Sequence, residues 1–486
     1  MILYRKNRLC WMVALFLYFG LSVASYAQLA TPQILSSNMV LQQGKKVPVW
    51  GTARPGERVT VTFGDQRQSV RADREGHWQV ELQPMKADKH PKQLVIKGHK
   101  DTITYDNILV GEVWLCSGQS NMEYPMKLKR GYAGPRRGKN LAEQELSEPA
   151  NDMIRVYYVR RDKHVSSWKV ADSTSLAAMS AVGYFFGREL LQKLNVPVGI
   201  ISSSVGGTRI ESWMPEEACL ASPVFASEVK RDGRIDGQGV AERYDRMIAP
   251  LVPFALKGFL WYQGESNITS GIRERRYVEK YQLLVDSWRR AFHAKEAPFY
   301  YVLLAPYAYS GRIAKNGRPS TAEELPLMHE QQIKAQQVVD NTDYVVVSDL
   351  VDNLEDIHPS YKWTVGERLS RVALGKTYGQ EGRIWSGPRI KEVRSSGDSV
   401  IATFEQAGDG LKVSARRNLR WFEVAGSDGI YRAALASIKG KDQVVIYSPE
   451  VKHPVSVRLG WHETAMPNLV NSEGLPAAPF RRTVQP

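Results

Sequence analysis

Four short segments of this chain hold side chains whose types and spacing could do nucleophilic chemistry. Ser120 lies in Leu115-Cys-Ser-Gly-Gln-Ser-Asn-Met122, just past an apolar run over residues 108–116. A hydroxyl at a strand end is open to substrate, and Gly118 permits the tight backbone turn that would present it. The segment is not the Gly-x-Ser-x-Gly elbow, because Met122 occupies the position of the second glycine. Ser202-Ser-Ser-Val-Gly-Gly-Thr208 follows another apolar run. Its glycine pair lets backbone N–H groups approach a ligand, or makes a plain turn. Trp261-Tyr-Gln-Gly-Glu-Ser-Asn267 places the amides of Gln263 and Asn267 on either side of Gly264. Such amides stabilise a developing oxyanion, or simply cap a loop. Asp356-Ile-His-Pro359 holds an imidazole with a carboxylate two residues before it. Histidine is the usual base for a serine nucleophile, and a carboxylate orients it. Of the nine histidines, His358 stands at a strand end opening a helix. His164, two residues after Asp162, is the runner-up, in a charged run that reads as a solvated loop. His329 falls on a helix-like segment and reads as exposed.

The elements that must position these groups follow from periodicity. Apolar runs at 108–116, 198–201, 258–262, 298–304 and 344–348 alternate with helical patterns at 181–194, 277–292, 325–339 and 363–378. That alternation predicts a parallel sheet covered on both faces. In such sheets reactive groups gather beyond the carboxyl ends of the strands. On either side the pattern changes to short strands rich in β-branched and aromatic residues and separated by turns, which predicts a small β-sandwich at each end.

The chain starts with Arg5, Lys6 and Arg8, an apolar run over residues 10–23, and small residues Ser25 and Ala27 before Gln28. This is the anatomy of a secretory signal peptide over residues 1–27, with export to the periplasm or the outside. No second apolar stretch follows that would hold the mature chain in a membrane. Loss of the leader takes the formal charge from +14 to +11. A basic surface attracts anions, but no dense Lys/Arg block or nucleic-acid module is present, so nucleic acid is not the expected partner. Cys116 and Cys219 alone remain after Cys10 is removed, which is no disulfide framework. There is no paired Cys-x-x-Cys and no His-Glu-x-x-His helix for a metal.

Taken in order, Gly118-Gln-Ser-Asn-Met122, Gly206-Gly-Thr-Arg-Ile-Glu-Ser-Trp213, Trp261-Tyr-Gln-Gly-Glu-Ser266 and Asp356-Ile-His-Pro359 resemble the SGNH-hydrolase superfamily, and more closely the sialate O-acetylesterase family. Ser36-Ser-Asn-Met-Val-Leu-Gln42 and Asn468-Leu-Val-Asn-Ser-Glu-Gly-Leu-Pro476 extend the likeness over nearly all of the mature chain. The resemblance implies a flavodoxin-like α/β/α catalytic domain over residues 107–382, between β-sandwich modules at 28–106 and 383–486. It implies a serine esterase acting on O-acetylated sugars, sialic acids first, with acetyl-xylan or pectin as the alternative. Ser120 is then the nucleophile and His358 the general base. Asp356 is the orienting acid, with Glu355 (at the superfamily's usual spacing) and Glu265 as alternatives. The backbone N–H groups of Ser120 and Gly207 are the oxyanion donors. The superfamily's asparagine position falls on Ser266 here, so Gln263 or Asn267 is expected to supply the third. Arg209 meets a sialate carboxylate or serves as a structural ion-pair partner. The two-step acyl transfer needs no metal or organic cofactor, and its base should titrate not far from neutrality. The competing class is a glycan-binding protein without catalysis, which the β modules and twelve tryptophans would fit, although tryptophan is more often core than sugar platform.

Overall fold

The strand pattern of the middle of the chain closes into one sheet. In the structure, a computed structural model that describes residues 28–161, 165–270, 276–313, 317–380, 382, 384–415 and 418–485, six parallel strands form its core. Their order across the sheet is Thr342–Val345, Phe299–Val302, Gly258–Tyr262, Thr102–Gly118, Val198–Ser204, Asn151–Tyr158, with Trp168–Ala171 antiparallel at the edge. The leader over residues 1–27 and the Asp162/His164 pair lie outside the described residues. Among the described residues no helix is long and apolar enough to cross a membrane.

The inner strands are buried along their length, as continuous apolar runs require when both faces are covered. Side chains of Phe299–Val302 alternate between two helix pairs. Phe299 and Tyr301 meet Tyr281 of helix Tyr277–Ala291. Tyr300 stacks on Trp114 and shares a hydrogen bond with Thr377, just past helix Lys362–Lys376. Trp114 also meets Phe186 of helix Ala181–Leu194 edge-on. Helices Ala181–Leu194 and Lys362–Lys376 pack together, as do Tyr277–Ala291 and Glu324–Val338. The architecture is the expected α/β sheet with β modules at the ends.

Two strands of the central sheet lack the apolar run that marks the others. Asn151–Tyr158 and Trp168–Ala171 carry charged or polar residues between the apolar ones and so show no apolar run. The strand expected from residue 108 begins at Thr102 and runs to Gly118. Its first half pairs antiparallel with Asp88–Lys97, and its second half is the middle of the parallel sheet. The expected limit at 106/107 therefore falls inside a strand. One apolar core runs from Leu29 to Leu374, while a second core joins the two four-stranded antiparallel sheets of the C-terminal module. Phe404 and Phe480 meet across those two sheets.

The expectation that His329 is exposed is corrected. Its ring is buried and its Nε2 lies 2.7 Å from the Leu304 carbonyl oxygen. The C-terminal module covers that face of helix Glu324–Val338, with Arg481 paired to Glu330. Burial lowers the imidazole to about 4. A base whose folded pKa is depressed takes up more protons unfolded, so its stabilising contribution is full above about pH 6.5 and is lost as pH falls toward 4. For this shift the loss is roughly 3 kcal/mol. Urea unfolding should show declining stability over that window. His329→Gln, which keeps a donor for the Leu304 carbonyl, should flatten the decline, and an unchanged slope in the variant would refute the assignment.

Candidate active site

The middle strand ends in a position closed to any side chain. Gly118 lies in register with both Ser204 and Tyr262. A Cβ there would stand 2.2 Å from the Tyr262 carbonyl oxygen, and its φ is +137°. Only glycine fits, and the chain turns at once into the short helix Ser120–Glu123. This is the place where the strand order reverses, later strands adding on the other side of Thr102–Gly118, and where doubly wound sheets form their crevice.

Four chain-distant segments converge there. Gln119, buried, binds the third segment to the first: its Oε1 accepts from Gln263 Nε2 at 3.1 Å, Ser266 N at 3.2 Å and Gly264 N at 3.3 Å. Gly206 packs against Ser120, since a Cβ on it would lie 3.3 Å from the Ser120 Cβ. Its N–H donates to Glu123 Oε2 at 2.6 Å. Gly207 follows at φ +73° with open space where a Cβ would be. Neither the Ser120 N–H nor the Gly207 N–H has an acceptor among the described residues. Asn121 ties in the last segment, its Nδ2 donating to the Ile357 carbonyl at 3.0 Å. Tyr132 spans the two: its hydroxyl donates to the Ser120 carbonyl at 3.4 Å, and its ring centroid is 4.9 Å from that of His358. Ser120 is partly exposed, and the His358 side chain is 18% exposed, which leaves both open to a small ligand.

Of the three carboxylates considered for the histidine, Asp356 is the one in contact. Its Oδ1 is 3.6 Å from His358 Nδ1 and accepts the His358 backbone N–H at 2.9 Å. The 3.6 Å contact is longer than a hydrogen bond and becomes an ion pair only when the ring is protonated. Glu355 is exposed. Glu265 is buried and accepts from Asn121 Nδ2 at 2.5 Å, and burial raises its pKa above the usual carboxylate range.

The two amides expected as donors both bond to other parts of the protein. Gln263 Nε2 already donates to Gln119 Oε1, Thr208 O and Asn267 Oδ1. Asn267 Nδ2 faces both oxygens of Glu211, and its Oδ1 also accepts from Ile210 N. Both side chains are buried with their N–H groups committed, so they brace the loops and offer no donor to an oxyanion. Arg209 belongs to the same framework. Its guanidinium holds Glu211 and the Asp236 carbonyl and does not reach out for a ligand. Burial opposes ionisation of Glu211, yet Lys280 and Arg209 beside it hold its carboxyl below the usual range.

Asn121, Tyr132 and Lys362 join the site without being expected from the sequence. For Asn121 the only signal is its neighbour Ser120. Lys362 opens the helix just after His358, a position that said nothing until the fold buried it. The expectation that the base titrates not far from neutrality also shifts. Burial first, then the nearby Lys362 ammonium, lower the His358 imidazole to about 4, against the opposing pull of Asp356 and Glu123. An NMR titration of the His358 ring should therefore place its midpoint well below 6.5, and a midpoint at or above that value would contradict the buried setting.

Residues 110–378 match the family model described as carbohydrate esterase, sialic acid-specific acetylesterase. Over 408 residues the chain is 30% identical to the sialate O-acetylesterase of Pongo abelii, covering 74% of this chain and 73% of that protein. Over 400 residues it is 29% identical to the sialate O-acetylesterase of Homo sapiens, with coverage of 74% and 73%. A crystal structure of a carbohydrate acetylesterase from Xanthomonas citri superposes with a TM-score of 0.81 at 31% identity, covering 93% of this chain and 99% of that one.

Proposed function

This chain belongs to the sialic acid-specific acetylesterase family of carbohydrate esterases, and from that premise we propose that it removes O-acetyl groups from sialic acids through an acetyl-serine intermediate. That it is a sugar acetylesterase follows from the family and from the fold shared with the Xanthomonas citri enzyme. The observation that carries the finer reading is a partly exposed serine at one rim of the sheet, where the Ser120 and Gly207 N–H groups have no acceptor among the described residues and Tyr132 links the Ser120 carbonyl to the half-buried His358 ring.

In the first step His358 takes the proton of Ser120 as the hydroxyl oxygen attacks the acetyl carbonyl. The charge that develops on the carbonyl oxygen meets the N–H groups of Ser120 and Gly207, which lack other acceptors. Losing one such donor costs on the order of 10²–10³ in rate. The sugar oxygen departs with the proton from His358. Water then gives its proton to His358, attacks the acetyl-serine, and releases acetate as the proton returns to Ser120. Asp356 steadies the imidazole through its backbone N–H and closes on Nδ1 when the ring becomes charged. The leader supports export of the mature enzyme, where acetylated glycans are met.

The basic run that follows Ser120 in the chain supports an anionic sugar. Lys127, Lys129, Arg130, Arg136, Arg137 and Lys139 follow Glu123 with no acidic residue before Glu143. Arg137 is paired with Asp352, and Lys129 lies near Glu123. Arg136 lines a cavity of about 40 Å³ together with His358, Asp356, Asp352 and Ser360. An arginine in that position can hold a carboxylate with two parallel N–H bonds.

Ser120→Ala should reduce acetate release from O-acetylated sialic acid by at least about 10⁴-fold, and retention of activity would remove the serine mechanism. Arg136→Ala should lower kcat/KM on acetylated sialic acid by about 10-fold more than on neutral acetyl-xylan oligomers, the value of one lost charge-assisted contact. Equal losses on both, or a wild-type preference for the neutral oligomer, would argue for a polysaccharide deacetylase instead.

A further inference from the structure

The acyl-transfer steps give no task to Lys362, although it is wholly buried four residues after His358. Its Nζ donates to the Pro359 carbonyl at 2.5 Å and to Asn121 Oδ1 at 2.7 Å. It lies over the rings of Tyr124 and Tyr262, at 5.0 and 5.4 Å from their centroids. Among the described residues no carboxylate is in ion-pair contact with it. Burying an ammonium in this way is costly, and methionine would fill much the same space without the cost. Packing therefore does not account for a lysine here.

What the ammonium and the amide hold is specific. Asn121 Nδ2 donates to the Ile357 carbonyl at 3.0 Å, and Lys362 Nζ donates to that of Pro359. The peptide carbonyls on both sides of His358 are thus each gripped by a buried donor, and the two donors are bonded to each other. Asn121 is also the residue that follows Ser120 in the chain, and its Nδ2 is anchored to the buried Glu265.

We propose that Lys362 and Asn121 are positioning residues of the esterase: together they fix the segment that bears His358 against the helix that begins at Ser120, and so set the imidazole relative to the hydroxyl. This rests on the reading of Ser120 and His358 as nucleophile and base. The ammonium has a second effect at the same place. After burial, its charge is the main influence disfavouring the imidazolium form of His358, while Asp356 and Glu123 favour it. Tyr132 faces the ring as well, and Arg136 and Asp352 line the cavity beside it. Facing the ammonium are Glu265, Asp356, Tyr124 and Tyr262. Burial lowers Lys362 itself to about 7, so the group is charged across the acid range in which His358 titrates.

The test compares Lys362→Met and Asn121→Ser with the wild-type enzyme on p-nitrophenyl acetate and on O-acetylated sialic acid, with Tm measured for each. Both variants should lose kcat by about 10²-fold, the usual cost of misplacing a catalytic group by an ångström, while KM changes little. In Lys362→Met the acid limb of kcat/KM should also move to higher pH, because the like charge beside the imidazole is gone. In Asn121→Ser that limb should stay. Wild-type kcat with an unmoved limb in Lys362→Met overturns the proposal, as does a loss of kcat in both variants that only follows a loss of Tm with no movement of the limb. Should Lys362→Met fail to fold, Asn121→Ser alone decides the positioning role: kcat reduced at wild-type KM and Tm supports it, and unchanged kcat overturns it. Ser120→Ala and His358→Ala are run alongside. If they still release acetate, the underlying reading fails; if they are silent and Lys362→Met is normal, only the positioning role fails.

Discussion

Gly118 stands between Ser204 and Tyr262 at the end of the middle strand, where the neighbouring backbone leaves no room for even a methyl group. That exclusion lets three strand ends come together at one rim. The sharp turn it forces places Ser120 at the opening of a short helix, where its N–H has no acceptor among the described residues. Gln119, the residue between, then collects N–H donors from the loop after the next strand. The site is an outcome of backbone crowding first and of side-chain chemistry second.

Around the rim lies a layer of buried polar groups bonded to one another. Gln119, Gln263 and Asn267 form a chain of amides that continues into Glu211, Arg209 and Lys280. Low-dielectric surroundings make each of these bonds strong when complete and costly when broken. Loops that carry reacting groups need rigid backing, and here hydrogen-bonded amides and ion pairs supply it where apolar packing could not fix direction. Asn121 and Lys362 extend that backing to the loop of His358 on the other side.

The inner strands and the covering helices were legible because burial on both faces leaves an unmistakable run of apolar residues, as at Gly258–Tyr262. The strand pair Asn151–Tyr158 and Trp168–Ala171 was not, since mixed polar residues erase that run. The positions of Ser120 and Gly207 just past strand ends, and of His358 in the loop before helix Lys362–Lys376, could be read, because polar groups after an apolar run mark the mouth of a parallel sheet. What each amide does could not. Gln263 and Asn267 were taken for donors on residue type, yet their partners at Gln119, Thr208 and Glu211 lie far off in the chain. Lys362 was invisible for the same reason: its meaning comes from Asn121, 241 residues away. His329 looked like a surface residue until the C-terminal module was laid over its helix.

The strand Thr102–Gly118 belongs to two sheets at once, stitched to Asp88–Lys97 at its start and to the parallel strands at its end. The N-terminal module and the hydrolase sheet are therefore cut from the same length of chain and share a core. The C-terminal module has a core of its own. The two appendages are therefore joined unequally: the rear one docks through side-chain pairs such as Arg389 with Asp343 and Arg481 with Glu330, while replacing the front one would mean rebuilding the central plank of the enzyme.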